Sequence, residues 1–362
     1  MTDAMTVLVT GAGGLVGAEV TARLTAAGHT VLALLHSRTH LVRNNGRELT
    51  PGPGTLVPVT GDITRPGLGL TDDGRRLART ADRIVHCAAV TGFGLPEERY
   101  DSVNVLGTRH VLDLARTGRT PLVHVSTAYV CGERDGTAYE DELDVGQRPG
   151  NGYERSKLTA ETLVREAAAQ GLPVTVVRPS IVTGAARTGR VRDFRTIYPV
   201  LKVFTRGLVR SAPGHYDAVL DLVPVDHVAG LVAEAALRFA DAEGRTLHAV
   251  GHELTLRDFS DVLAEYPSFR VPRFVPPSAF SASALPDRER PYHDRVIALY
   301  DTYFRRRVHF DDTRATAFGG SRTPTRGRTH LRRLLDHCLR VGYLGTPPPE
   351  EPAARRTHGS AQ

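Results

Sequence analysis

Tyr153 and Lys157 stand four residues apart in Gly152-Tyr153-Glu154-Arg155-Ser156-Lys157, and a Ser126-Thr127 pair closes a strand-like run upstream. These residue types make a proton-transfer set. On a helix, positions i and i+4 share one face, so a cationic Lys157 is placed to lower the pKa of the Tyr153 phenol and make it a usable acid near neutral pH. The chain carries 46 Lys and Arg residues, and only Lys157 and Lys202 are Lys. A compact ammonium therefore stands at position 157 in a sequence that otherwise writes its cations as planar guanidinium forks. The same spacing also occurs on ordinary exposed helix faces, so its meaning rests on the elements that must position it.

Those elements begin at Thr6. A strand-like run, Thr6-Val7-Leu8-Val9-Thr10, leads into Gly11-Ala12-Gly13-Gly14-Leu15-Val16-Gly17 and then a helical pattern that ends at Gly28. This is the order a dinucleotide fold requires. Gly11 permits a tight turn, Gly14 lets the backbone approach a pyrophosphate, and Gly17 allows the helix to pack on the strand, while the helix N-terminus offers amides to phosphate. Cofactor contacts are expected from Thr10, Gly11, Gly14, Leu15, Val16 and Gly17. The next strand, Val31 to Leu35, runs into His36-Ser37-Arg38 with no acidic residue before Glu48. An acid there would bind the ribose 2′-hydroxyl of NAD, whereas an Arg accommodates the 2′-phosphate of NADP. The pattern favours NADP(H), with Arg38 as the phosphate ligand and His36 or Arg43 as alternatives.

Further strands are expected at Leu56 to Thr60, Arg83 to Ala88, Pro121 to Ser126 and Pro173 to Arg178, with helices near Asp72 to Arg79, Glu97 to Arg116 and Tyr153 to Gln170. Strands alternating with helices imply an α/β, Rossmann-type doubly wound parallel sheet with helices on both faces. Ligands of such sheets gather beyond the carboxyl ends of the strands. One cleft can then contain Asp62 and Ile63, Ala88 to Val90, Ser126 and Thr127, and Pro179 and Ser180.

Composition narrows the function classes. The start lacks the basic region of a signal peptide, no apolar run reaches membrane-spanning length, and three cysteines are too few for a disulfide framework, so a reducing cytoplasm is the simplest setting. The fifteen His show no metal-ligand spacing, and no metal is expected. Cys87 and Cys131 lack a paired base, and His86 reads as core-facing. Seven cations lie between Arg187 and Arg210 against one acid, Asp193. They make either a solvated Arg-rich surface or an attractive field for an anionic partner; the absence of a reader motif and the sparse aromatics argue against nucleic acid.

Taken in order, the glycine loop, Asp62, His86-x-Ala88-Ala89, Asn104-Val105-x-Gly107-Thr108, Ser126-Thr127-Ala128-Tyr129, Tyr153-x-x-x-Lys157 and Arg178-Pro179 resemble the extended short-chain dehydrogenase/reductases over roughly residues 6 to 230. Gly61-Asp62-Ile63-Thr64-Arg65-Pro66 and Leu220-Asp221-Leu222-Val223-Pro224 resemble the thioester reductase and fatty acyl-CoA reductase branch. The resemblance implies Tyr153 as proton donor, Lys157 as the residue that holds the nicotinamide ribose, and Thr127, in preference to Ser126, as the hydroxyl on the reacting oxygen. It implies that Asp62 and Ile63 frame the adenine, that Ala88, Ala89 and Val90 line the ribose and phosphate path, and that Pro179, Ser180, Ile181 and Val182 pack by the nicotinamide. Asn104 is expected to brace the sheet.

By the same resemblance, residues 1–183 form the NADP-binding domain, completed by about 226–251. A smaller, mainly helical substrate lobe takes 184–225 and 252–345, and 346–362 is a disordered tail. Pro267 to Pro291 reads as a covering segment. The expected function is NADPH-dependent reduction of an acyl thioester to an aldehyde, or on to the alcohol, in a monomer or homodimer. The substrate would arrive on coenzyme A or a separate acidic carrier protein. A ketone or aldehyde reductase, a nucleotide-sugar epimerase or dehydratase, and a non-catalytic NADPH-binding protein are the alternatives.

Overall fold

The computed structural model describes residues 4–36, 40–50, 52–319 and 327–345. Its first strand, β1 (Thr6–Thr10), runs into α1 (Leu15–Ala26), followed by β2 (Thr30–Leu35), β3 (Leu56–Thr60), α2 (Asp72–Ala78) and β4 (Arg83–His86). Next come α3 (Glu97–Tyr100), α4 (Gly107–Gly118), β5 (Leu122–Val125), β6 (Gly136–Ala138), α5 (Gly152–Ala169), β7 (Val174–Pro179), β8 (Ile181–Thr183) and α6 (Ile197–Thr205). A π-helical stretch, Asp101–Leu106, joins α3 to α4, so the single helix expected from Glu97 to Arg116 is continuous but not uniform.

The second half contains β9 (Ser211–Pro213), β10 (Val219–Pro224), α7 (Val225–Leu237), α8 (Phe239–Ala242), β11 (Thr246–Ala249), β12 (His252–Thr255) and α9 (Leu256–Ala264). It ends with β13 (Arg273–Val275), α10 (Arg290–Arg295), a 3-10 stretch at Ile297–Phe304, β14 (Val308–Phe310), α11 (Thr313–Phe318) and α12 (Gly327–Arg340). Seven parallel strands form one sheet in the order β11-β7-β5-β4-β1-β2-β3, with the reversal of winding between β1 and β4. Ligands of doubly wound sheets bind at that reversal.

Alternation along β1 explains why both faces are covered. Val7 and Val9 face α1 and α7, where they meet Val20, Leu24, Val228 and Val232. Leu8 points the other way, toward Leu32, Ile84, Leu112 and Val164. All three strand residues are fully buried, and each such side chain contributes about 1.5–3 kcal/mol. A third cluster, around Phe204, Phe259, Phe274, Phe304 and Leu334, forms the core outside the sheet. That region is not helical alone: β12-β10-β8, β13-β9 and β14-β6 make three small sheets. The Pro-rich segment expected as a cover holds β13 to its neighbour β9, and none of its residues lines the main cleft. Among the described residues no helix is long and apolar enough to cross a membrane.

Two glycines bring the phosphate end of the sheet together. Gly11 has φ +67°, and a side chain there would meet the backbone of Ala88 after β4. A methyl on Gly17 would overlap the Gly11 carbonyl oxygen, so α1 could not lie against the turn. Gly17→Ala is expected to lower the unfolding free energy by about 2–3 kcal/mol, measured by urea denaturation, because the clash is with backbone and only a shift of α1 can relieve it.

Candidate active site

A cleft of about 500 Å³ opens at the carboxyl ends of β1, β2, β4, β5 and β7. Gly11, Gly14, Leu15, Val16 and Gly17 line one part, His36, Asp62 and Ile63 a second, and Ala88 and Ala89 the floor between them. Thr127, Tyr153, Ser180, Ile181 and Val182 line the far part. Phe93, Tyr129, Tyr198, Tyr300 and Tyr303 complete that end. Sequence reasoning did not assign these five aromatics to the site, because they come from separate loops and helices with no common spacing.

Four expected cofactor residues do not line the cleft. Thr10 is fully buried, and its hydroxyl pairs with His86 Nδ1 at 2.7 Å. Val90 is half-buried and packs against the core, and its N–H donates to Asn104 Oδ1 at 2.9 Å while its carbonyl accepts from Asn104 Nδ2 at 3.0 Å. Pro179 is buried and presents only its carbonyl, which accepts from the Thr127 hydroxyl at 3.3 Å. Lys157 is buried beneath the site, its Nζ donating to the Val125 carbonyl at 2.8 Å. Arg38 lies outside the described residues. Arg43, its alternative, is committed to Glu19 at 2.9 Å.

A buried hydrogen-bond chain fixes these strand ends. Thr108 donates to the Asn104 carbonyl at 2.6 Å, so its oxygen must accept from His86 Nε2 at 3.0 Å. Nδ1 of that ring is then the acceptor for the Thr10 hydroxyl, whose oxygen takes the Ala88 N–H at 3.4 Å. Burial, helped by the Lys157 charge, pushes His86 down to about 3, so the ring is neutral and serves structure. Asn104 extends the chain to α5 by donating to the Ser156 hydroxyl at 2.9 Å. Its expected bracing role is the one seen, and the π-helical turn carries it.

Thr127, not Ser126, faces the cleft. The Ser126 hydroxyl is buried without a partner, whereas Thr127 accepts from the Tyr129 N–H at 3.3 Å and lies in hydrogen-bonding reach of the Tyr153 phenol. Asn151 caps α5 by accepting the Glu154 N–H at 2.9 Å, which sets the first turn that carries Tyr153. Burial pushes that phenol up to about 12; Thr127 acts downward, and Glu154 and Tyr100 act upward. The expected lowering by Lys157 is therefore not what governs Tyr153. The lysine itself is pushed down to about 8 by burial, against the opposing charge of Glu161.

At the His36 end of the cleft, one Asp62 oxygen accepts from Thr64 N and Oγ1 at 2.9 and 2.7 Å, and the other lies 3.5 Å from His36 Nε2. Burial tends to raise this carboxyl, but Thr64, His36 and Arg65 outweigh it and hold it low. Cys87 lines the floor, and burial pushes its thiol up to about 12, which removes it as a nucleophile. The cationic stretch divides: Arg187, Arg190, Arg195, Arg206 and Arg210 are exposed, while Arg192 turns inward and donates to the Gly13 carbonyl at 2.7 Å.

A model of the NAD-binding family described as male sterility protein matches residues 9–232. The chain belongs to that family. It has the fold of the extended short-chain dehydrogenase/reductases. It is 28% identical over 339 residues to the L-2-aminoadipate reductase large subunit of Penicillium chrysogenum, covering 84% of this chain and 24% of that one. Over 276 residues it is 27% identical to "Probable fatty acyl-CoA reductase 4" of Arabidopsis thaliana, covering 58% and 55%. The chain thus spans between about a quarter and about half of these relatives. Among solved structures it is similar to the terminal R domain from the myxalamid PKS-NRPS biosynthetic pathway, with TM-score 0.78, 29% identity and coverage of 96% and 94%.

The cleft suits the dinucleotide such a family binds. Gly14 meets only the Gly11 carbonyl where a side chain would stand, leaving its cleft face open, and Gly14 N-caps α1. Lys157 also carries a stability signature. Between pH 8 and 10.5 the unfolded chain holds its proton and the folded chain does not, so unfolding takes up a proton and stability rises with pH over that window. In protein without added cofactor, Lys157→Met is expected to remove this rise, measured as the difference between the two unfolding-versus-pH curves.

Proposed function

We propose that the protein uses NADPH to reduce an acyl thioester to an aldehyde. The observation that carries this reading is the Thr127 hydroxyl against the Tyr153 phenol, in one cleft with the glycine loop. The names of the relatives, an aminoadipate reductase, a fatty acyl-CoA reductase and a terminal R domain, support the substrate class. Coenzyme A or an acidic carrier protein would deliver the substrate, and the exposed Arg187, Arg190, Arg195, Arg206 and Arg210 offer an anionic carrier a complementary field. Three free thiols accord with a reducing cytoplasm.

When bound, the nicotinamide supplies a hydride to the thioester carbonyl carbon. Tyr153 donates a hydrogen bond to the oxyanion that develops, Thr127 adds a second once its hydroxyl turns from the Pro179 carbonyl, and the resulting hemithioacetal collapses with release of thiol. A phenol pushed up to about 12 is protonated at neutral pH, the state a donor needs. Lys157, one turn along the same helix, would hold the nicotinamide ribose only by turning its Nζ from the Val125 carbonyl into the cleft. The aromatic end of the cleft shelters the acyl group from water.

Incubation with acyl-coenzyme A or acyl-carrier thioesters, followed by NADPH absorbance, is expected to show oxidation of the cofactor. Turnover of free aldehydes, ketones or nucleotide sugars with none of thioesters would sink the assignment. Tyr153→Phe is expected to reduce kcat by about 10²-fold or more while leaving NADPH affinity intact, since it removes a positioned acid and nothing else.

For the cofactor, β2 ends without an acid, and Arg43 is held by Glu19, which leaves His36 and Arg38 for the 2′-phosphate. Arg38→Asp is expected to weaken NADPH binding far more than NADH binding, because repulsion replaces a charge-assisted contact. Fluorescence titration with both cofactors checks it; an unchanged preference moves the role to His36.

A further inference from the structure

We infer that the buried ion pair of Glu154 and Arg306 is a positioning couple for the proton donor, locking the first turn of α5 to the aromatic wall of the cleft. The inference rests on Tyr153 as donor, as proposed above. Glu154 follows Tyr153 directly, so its side chain leaves the helix about 100° around from the phenol and enters the protein. It is fully buried, and Arg306 is 3% exposed. Glu154 Oε2 accepts from Arg306 Nη2 at 3.0 Å and from the Gly150 N–H at 2.8 Å, and Oε1 accepts from Asn151 Nδ2 at 3.3 Å. A side chain at Gly150 would overlap the guanidinium, so this glycine admits it.

Arg306 belongs to the other half of the chain. Besides Glu154, Nη2 donates to Thr302 Oγ1 at 3.0 Å; Nε and Nη1 have no hydrogen-bond partner. The guanidinium carbon instead lies 4.9 Å from the Tyr303 ring centre and 5.8 Å from that of Tyr129, an arrangement in which desolvated cations are attracted to ring faces. Tyr129 and Tyr303 pack at 4.7 Å, Tyr303 stacks on Phe93 at 5.6 Å, and Phe93 lies 6.0 Å from Tyr153 itself. A closed path therefore runs from Tyr153 through Phe93, Tyr303, Arg306 and Glu154 back to the adjacent backbone. Two desolvated charges are a costly way to hold two segments together; an apolar pair of equal volume would serve cohesion as well. What the charges add is direction, since carboxylate and fork accept few relative orientations.

The pair also sets the field at the donor. Thr127, Tyr100 and Glu154 are the polar groups that act on the phenol; Arg306, Asn151 and Tyr303 face Glu154, and Cys131 faces Arg306. The anion of Glu154 favours the protonated phenol, so its removal lets Tyr153 ionise at lower pH. A staple remote from chemistry would not move that titration.

The test uses Glu154→Gln and the double variant Glu154→Met with Arg306→Met, which removes both charges at similar volume and covers the case in which Glu154→Gln fails to fold around an uncompensated cation. Each is made with and without Tyr153→Phe, and the tyrosinate absorbance lost on Tyr153→Phe isolates this phenol without any substrate. We expect that component to titrate lower by roughly 1 pH unit. With octanoyl-coenzyme A and NADPH, we expect kcat to fall by about tenfold or more and the KM for the thioester to rise, with unchanged NADPH affinity. A double variant with native kcat, KM and Tyr153 titration overturns the inference and leaves the pair a structural staple. If Tyr153→Phe alone keeps full activity, the donor assignment itself is what fails.

Discussion

The site depends on a continuous buried hydrogen-bond chain across the reversal of the sheet. It runs from the Ala88 N–H through Thr10, His86 and Thr108 to Asn104, and from Asn104 to Val90 and Ser156. The Thr108 proton commits His86 Nε2 as a donor, and burial keeps the ring neutral, so Nδ1 is the acceptor and every link has one direction. The loop after β4, the glycine turn and the helix bearing Tyr153 are therefore tied to one another. Low dielectric makes each unmade bond in such a chain expensive, so the strand ends hold one arrangement in which Gly11 touches Ala88.

Buried charge is the second organising constraint, and it is used in pairs. Arg178, 2% exposed, donates to Glu161 through Nε and Nη2 and to the Glu142 carbonyl at 2.7 Å, tying β7 to α5 and to the segment after β6. Glu161 is one turn beyond Lys157 and partly offsets the cost of its burial. Glu154 and Arg306 repeat the device at the start of the same helix. Glu154 and Glu161, seven residues apart, lie on one face of α5, which is thus pinned by ion pairs at two levels, with Tyr153 next to the first and Lys157 between them. Removing one partner of such a pair costs about 3–5 kcal/mol, whereas replacing both with apolar residues can be neutral, so these pairs serve geometry more than net stability.

The aromatic end gives the cleft its two characters. The glycine loop and Asp62 present amides and charge, whereas Phe93, Tyr198, Tyr300 and Tyr303 present ring faces with polar tips drawn into the protein: Tyr300 donates to the Thr196 carbonyl at 2.5 Å, and Tyr198 accepts the Gly184 N–H at 2.8 Å. The cleft thus offers one polar half and one apolar half to a ligand.

The sequence by itself determined the order of strands and helices in the first half, the glycine turn, and the placement of Tyr153 and Lys157 one turn apart on α5. These are local matters: side-chain alternation, glycine at a position of positive φ and i,i+4 spacing are written within a few residues of one another. The preference for Thr127 over Ser126 came from the family resemblance; alternation says only that adjacent strand-end residues face opposite ways, and the fold turns Thr127 to the cleft. Only the tertiary structure decided which of the expected contacts face the cleft. Thr10, Val90, Pro179 and Lys157 sit at the right places in the chain, yet each is turned inward by a partner 14 to 76 residues away. The direction of the Tyr153 shift was likewise set by burial and by Glu154 rather than by helical spacing to Lys157. The aromatic wall and Arg306 come from loops and short helices with no periodic signature, and they acquire a function only when folding brings residues near 93, 129, 153 and 303 into one contact network.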